Sequence, residues 1–217
     1  MRSLPVVLVL VCVPLLIVPG RLRAQDAPPA TPAQAKAWLS ERQIKETPSE
    51  FAIYLMDASE RNLTVVRALL LAGVSPKVPT VDDHLYPLTV LVRSCQGAER
   101  AAEAAAALLA AGADPNQKEA ADGGITPLMG AVACPEVLAT MLRSKPDLNV
   151  TDDKGWTVAH HAFMSVDPPR EMPLWTLVAH GFDFKRWRAS LAKQFAAADD
   201  RALLDKLLAG LPGFRAR

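Results

Sequence analysis

Four histidines, three pairs of adjacent aspartates and three cysteines are the residues here with chemistry to offer. The histidines are His84, His160, His161 and His180. His160 and His161 are neighbours, and on a helix neighbours point about 100° apart, which is poor geometry for sharing one metal ion. No H-E-x-x-H and no paired C-x-x-C is present, so no metal-ligand spacing is complete. Gly123-Gly124 is followed by no lysine-serine or lysine-threonine at the distance a phosphate loop needs. A serine-hydrolase G-x-S-x-G is also missing. The pairs Asp82-Asp83, Asp152-Asp153 and Asp199-Asp200 would suit acid–base work only in an apolar setting that shifts their titration. They fall in polar turns, where carboxylates are expected to be solvated. The expectation is a chain without catalytic residues, metal or other cofactors, or a small-molecule substrate.

The elements that would position these residues begin with a leader. Arg2 is followed by an uncharged apolar run from Leu4 to Val18, then Pro19-Gly20 and a small residue, Ala24, before Gln25. This is the order of a secretory signal peptide, residues 1–24. The alternative is an uncleaved anchor, but the run is shorter than the ~20 residues a spanning helix needs. Cys12 lies inside the run behind Val11, which does not fit a lipid-anchor site. The 24 basic residues and 23 acidic ones include no long basic stretch, so a nucleic-acid footprint is missing. Removing Arg2, Arg21 and Arg23 leaves 21 basic residues and a net charge of −2.

Residues 25–46 read as a proline-rich linker, QDAPPATP, and a capping helix from Ala33 to about Lys45 begun by Thr31-Pro32. Its apolar contacts would be Trp38, Leu39 and Ile44. Thr47-Pro48 opens the next element. From there the chain repeats itself. Apolar pairs Leu69-Leu70, Leu108-Leu109, Met141-Leu142 and Leu177-Val178 are each followed by two residues and then Gly73, Gly112, Lys145 or Gly181. Glycine there stops a helix by entering a left-handed conformation. The spacings between these stops are 39, 33 and 36 residues. The beginnings also match: Tyr86-Pro87-Leu88, Thr126-Pro127-Leu128 and Thr157-Val158-Ala159 each open a helix, best where threonine caps and proline follows.

Gly124-Ile-Thr126-Pro127-Leu128 and Gly112-Ala113-Asp114-Pro-Asn116, with Gly155-Trp-Thr157, His160 and Ala162, resemble the signatures of ankyrin repeats. The resemblance spans about residues 47–185, with a closing helix pair to about 210. It implies an all-α fold: an ankyrin-repeat solenoid of about four helix-turn-helix repeats with irregular capping segments at both ends. The repeat domain would run over 47–211, leaving a tail at 212–217. Five extra residues near Gln96–Arg100, two missing near Cys134-Pro135, and an insertion around Val166–Met172 all fall at inter-helix turns, where length varies most easily. Leu203, Leu204, Leu207 and Leu208 form an apolar stripe on an atypical last helix.

In ankyrin-like proteins the turn tips and the concave face of the first helices bind protein partners. Carried over by position, the exposed residues are Asp82, Asp83, Leu85 and Arg93, then Asp122, Gly123 and Ile125, then Asp153, Lys154, Trp156 and Met164. Trp156 is the sharpest of them, since tryptophan is enriched in binding hot spots, although it also packs well against a neighbouring turn. His160 falls where the ankyrin pattern places a histidine that braces the turn with Thr157. Two sequons, Asn62-Leu-Thr64 and Asn149-Val-Thr151, matter only in a eukaryotic secretory route.

Export would leave only Cys95 and Cys134, eight and seven residues after Pro87 and Pro127. Stacked helices sit about 8–10 Å apart, and a disulfide needs Cα atoms within ~7 Å. The expected state is a Cys95–Cys134 bond, with two free thiols as the alternative. The function expected is that of an exported periplasmic or secreted protein-binding module, or an inhibitor or immunity protein neutralising a toxin or enzyme in the same compartment. A membrane contact would come only through an uncleaved leader. Mass analysis of the mature chain is expected to give an N-terminus near Gln25; intact Met1 on cytosolic material would refute export.

Overall fold

An extended residue followed by proline supplies the first helical turn with a preset φ and no orphaned N–H. The computed structural model describes residues 27–80, 84–96, 98–166 and 169–210, and it uses this device at helix after helix. Helix α1 (Pro32–Glu41) starts behind Thr31, whose hydroxyl accepts the Gln34 N–H at 3.2 Å. Helix α2 (Pro48–Leu55) follows Thr47, and α3 (Glu60–Ala72) is capped by Ser59. Then come α4 (Pro87–Ser94), α5 (Ala101–Ala110), α6 (Pro127–Gly130) and α7 (Pro135–Arg143). Helices α8 (Val158–Phe163), α9 (Glu171–Ala179), α10 (Phe184–Gln194) and α11 (Ala198–Ala209) complete the order. The described residues are all-α, without a strand. None of these helices is long and apolar enough to cross a membrane. The leader, the tail from residue 212, and Asp82 and Asp83 lie outside the described residues.

The helices stop where the spacing predicts. Gly73, Gly112 and Gly181 have φ of 101°, 91° and 84°. Lys145, the non-glycine member of the series, also takes φ 56°. A side chain in that region carries a steric cost, so the shared conformation is imposed by the turn and not by glycine's freedom alone. One boundary differs from expectation. Helix α1 ends at Glu41, not Lys45, because Gln43 turns left-handed at φ 58° and Ile44 N–H reaches back to Leu39 O at 3.0 Å. That is the hydrogen-bond pattern of a helix stop, with Ile44 folded back on the core.

Consecutive helices pair, and alternate helices stack. Helix α2 packs on α4, α4 on α6, and α6 on α8. A second row runs α1 on α3, then α5, α7, α9 and α11. Between the rows lies one apolar core that includes Leu39, Phe51, Leu69, Leu91, Leu108, Leu128, Met141, Leu177 and Leu191. Small residues let the rows close. Ala101, Ala104 and Ala105 bury the inner face of α5. A β-carbon on Gly130 would stand only 2.8 Å from Val92 Cγ2, so α4 and α6 approach through a missing side chain. The two-residue deficit before Pro135 is absorbed by a tight 3-10 turn over Ala131–Ala133. The leucine stripe of α11 turns inward as expected, with Leu203, Leu204 and Leu207 buried.

Cys95 ends α4 and Cys134 precedes α7, and their Cα atoms are 6.2 Å apart with the sulfurs at bonding distance. The placement is compatible with a disulfide. Both residues are buried beside the core. A bond across 39 residues would be worth about 4 kcal/mol in the chain-entropy model. Denatured, unreduced mature protein, freed of the leader that carries Cys12 and taken from its native compartment, is expected to label no thiols. Reduction should lower the melting temperature more than Cys95→Ser lowers that of already reduced protein. Two labelled thiols per chain would rule the bond out.

Candidate functional site

The expected surface is built on the loops between a left-handed stop and the next helix. Each such loop must reverse direction and still satisfy its buried backbone groups. Three residues at matching spacing do this. Thr80 N–H donates to Leu85 O at 2.9 Å, Glu119 N–H to Ile125 O at 3.1 Å, and Asp152 N–H to Trp156 O at 2.9 Å. All three are buried. Their side chains close the turn or reach sideways. Thr80 Oγ1 accepts Leu85 N–H at 3.3 Å. Asp152 Oδ1 accepts the N–H groups of Lys154 and Trp156 at 2.9 and 2.8 Å. Glu119 instead crosses to the preceding segment, accepting Tyr86 N–H at 3.0 Å and the Thr89 hydroxyl.

Neighbouring loops are tied edge to edge. Asp153 N–H donates to Gly123 O at 2.9 Å. Asn116 holds Asp147 with two bonds, donating to its carbonyl at 2.8 Å and accepting its N–H at 2.9 Å. Arg93 on α4 pairs with Asp122 at 2.8 Å. This brings Asp122, Gly123, Asp153 and Lys154 onto one edge. Gly123, Asp153 and Lys154 are exposed there, and Asp122 is half-buried.

Several expected surface residues sit otherwise. Leu85 is 7% exposed and belongs to the core, which corrects its placement at an open tip. Its backbone N–H and carbonyl are both bonded to Thr80, and its side chain lies in the core. Ile125 is half-buried and packs against the core. Arg93 is exposed but already paired with Asp122. Met164 is 57% exposed. Asp152 was expected to be solvated and is 5% exposed. It is a fastener of the turn, bonded also to His161 Nε2 at 3.0 Å. Sequence reading missed Glu119 and Asp152 as a pair. Their 33-residue separation, the same as Gly112 to Lys145, was the available signal.

Trp156 divides its surface between both roles weighed for it. One side of the half-buried ring meets His160, His161 and Phe195, at centroid distances of 6.2, 5.9 and 6.4 Å. The Lys154 ammonium stands 5.4 Å from the ring centroid. The indole is thus held between these rings and Lys154, and it stays partly exposed.

His160 is fully buried beneath Trp156. Its Nδ1 accepts the Thr157 backbone N–H at 3.1 Å and lies 2.9 Å from the Thr157 hydroxyl. Its Nε2 lies 2.9 Å from Ser190 Oγ. A serine beside an imidazole suggests nucleophile activation, but the tautomer opposes it. With Nδ1 accepting, the proton sits on Nε2, which donates to Ser190 and cannot take the serine proton. The pair braces α8 to α10. Burial lowers the His160 pKa from the ordinary 6.5 to about 4, and the charge of His161 pushes the same way against Asp152. Burial alone would raise Asp152, but the hydrogen bonds from Trp156, His161 and Lys154 outweigh it and hold that carboxyl below its usual range.

Among the described residues no group of three or more histidine, cysteine or acidic side chains is placed to hold a metal ion. No family model, curated protein or solved structure matches the chain.

The histidine sets a pH dependence. Between pH 6.5 and 4 the unfolded chain binds a proton at residue 160 that the folded chain refuses, so stability falls as pH falls. The depressed Asp152 adds a further loss as pH drops below 3.8. The loss from His160 is expected to reach about 3 kcal/mol at the lower end of its window. Glutamine at 160 can keep the cap without titrating. The slope of melting temperature against pH from 6.5 to 4 should therefore flatten in His160→Gln. An unchanged slope would show that His160 is not its source.

Proposed function

We propose that the chain is an exported ankyrin-type repeat module that binds a protein partner through its loop edge and the adjoining first helices. The observation that carries this reading is the edge itself. Exposed groups at Gly123, Asp153 and Lys154 and the propped ring of Trp156 lie in series on loops whose backbones are bonded to one another. A surface held this way loses little conformational freedom on binding, which is where affinity is gained. The ankyrin resemblance supports the same use of the same positions. Helices that stop at four matched left-handed residues and stack alternately in two rows fit such an array. Export, read from the leader, would bring the surface to partners of the periplasm or the extracellular space.

Affinity purification from the cell envelope, with mass spectrometry of what is retained, identifies the partner. Trp156→Ala is then expected to cost about 2 kcal/mol or more of binding, a loss of roughly thirtyfold. The same variant must keep the wild-type helical circular dichroism. Unchanged affinity with the fold intact would move the binding surface away from this edge.

A further inference from the structure

A groove at the opposite end of the helix stack has a chemistry of its own. It lies among α1, α2 and α3, has a volume of about 550 Å³, and is lined by Trp38, Arg42, Ile44, Tyr54, Arg61, Thr64 and Val65. That volume is in the range of small-ligand and side-chain sites. Its walls are aromatic and aliphatic, and its polar groups are mostly donors. Arg42 is fixed in place, its guanidinium 3.9 Å from the Trp38 ring centroid and its Nη1 donating to Trp38 O at 3.3 Å. Arg61 is exposed and has no ion-pair partner among the described residues. The Tyr54 hydroxyl likewise has no hydrogen-bond partner among them. The Trp38 Nε1–H is buried and unpaired. The one hydroxyl already committed as a donor is that of Thr64, to Glu60 O at 3.1 Å. Glu41 pairs with Arg42 at 3.8 Å but does not line the groove, and among the described residues no carboxylate does.

A cavity that offers the Arg61 guanidinium and the Tyr54 phenol, with the Arg42 guanidinium beside them, and whose described lining residues include no carboxylate, is complementary to an anion attached to an apolar body. Guanidinium groups match carboxylates in plane and charge, and the apolar walls favour an aromatic or aliphatic neighbour to that carboxylate. We infer that this groove is a second binding site, which takes the C-terminal residue of a peptide, an aromatic or aliphatic side chain together with its terminal carboxylate. The site is separate from the loop edge around Trp156 and does not depend on it.

The test uses ¹⁵N-labelled mature protein and three probes: N-acetyl-L-phenylalanine, its neutral amide, and phenyl phosphate. The readout is the Trp38 indole N–H resonance, assigned by its loss in Trp38→Phe. The carboxylate is expected to shift it saturably, and the amide to leave it unmoved. Arg61 is on the surface, so Arg61→Ala should fold normally and weaken the response about tenfold, with Arg61→Lys restoring part. Trp156→Ala should leave the response intact even if partner binding is lost. An equal response to acid and amide, no saturable shift with any probe, or full binding by Arg61→Ala would overturn the assignment. So would binding of phenyl phosphate alone, or loss of the response in Trp156→Ala.

Discussion

The loops of this protein hang from one hydrogen bond made three times: a buried backbone N–H at Thr80, Glu119 or Asp152 that donates across its own turn to the carbonyl of Leu85, Ile125 or Trp156. A buried N–H left unpaired costs about 1–3 kcal/mol, so this bond decides where each loop can run. It sets where the next helix begins, which residues face outward, and how near adjacent loops lie. The side chains at those three positions then do different work. Threonine and aspartate tighten their own turn, while glutamate reaches back to the neighbouring segment.

Lateral bonds make a series of these loops into one surface. Asn116 on Asp147, Asp153 on Gly123, and Trp187 Nε1 on Asn149 at 3.0 Å each link one segment to the next. Asn116 and Asn149 are 33 residues apart, so one type of side chain makes the link twice in register. Inside, Cys95 and Cys134 sit together where the turn lengths are least regular. Links of this kind tie each loop to the next and limit how far the loops move independently.

Helices α10 and α11 pack differently from those before them. Helix α10 carries mostly charged and polar residues on its outer side, and only Phe184 and Leu191 are buried in it. Its inner side supplies Ser190 to His160 and Trp187 to Asn149. Phe195, just beyond it, stacks on Phe163 with ring centroids 4.9 Å apart. An aromatic lid therefore covers α8, and Trp156 rests on its margin. The angle of the candidate binding tryptophan is thus set by the closing helices as much as by its own loop.

Local chemistry made much of this legible from the chain. Threonine-proline steps at 31–32, 47–48 and 126–127 specify helix starts because both residues act within one turn. The series Gly73, Gly112, Lys145 and Gly181 specifies the stops by spacing, and Lys145 obeys it without being glycine. The bracing role of His160 was implied by the resemblance of Thr157 and His160 to the ankyrin pattern, and the contact itself is seen at 3.1 Å from the Thr157 N–H. What the tertiary structure alone decided is burial. Leu85 and Asp152 look like open-loop residues in sequence, yet both are enclosed by atoms from other elements. The exposure of Arg93 and its pairing with Asp122 depend on a residue 29 positions away. The groove of Trp38, Arg42, Tyr54 and Arg61 exists only because three helices meet. Dihedral preferences and caps are properties of a few consecutive residues, whereas exposure and pairing depend on which neighbour packs against them, and sequence spacing records only the first directly.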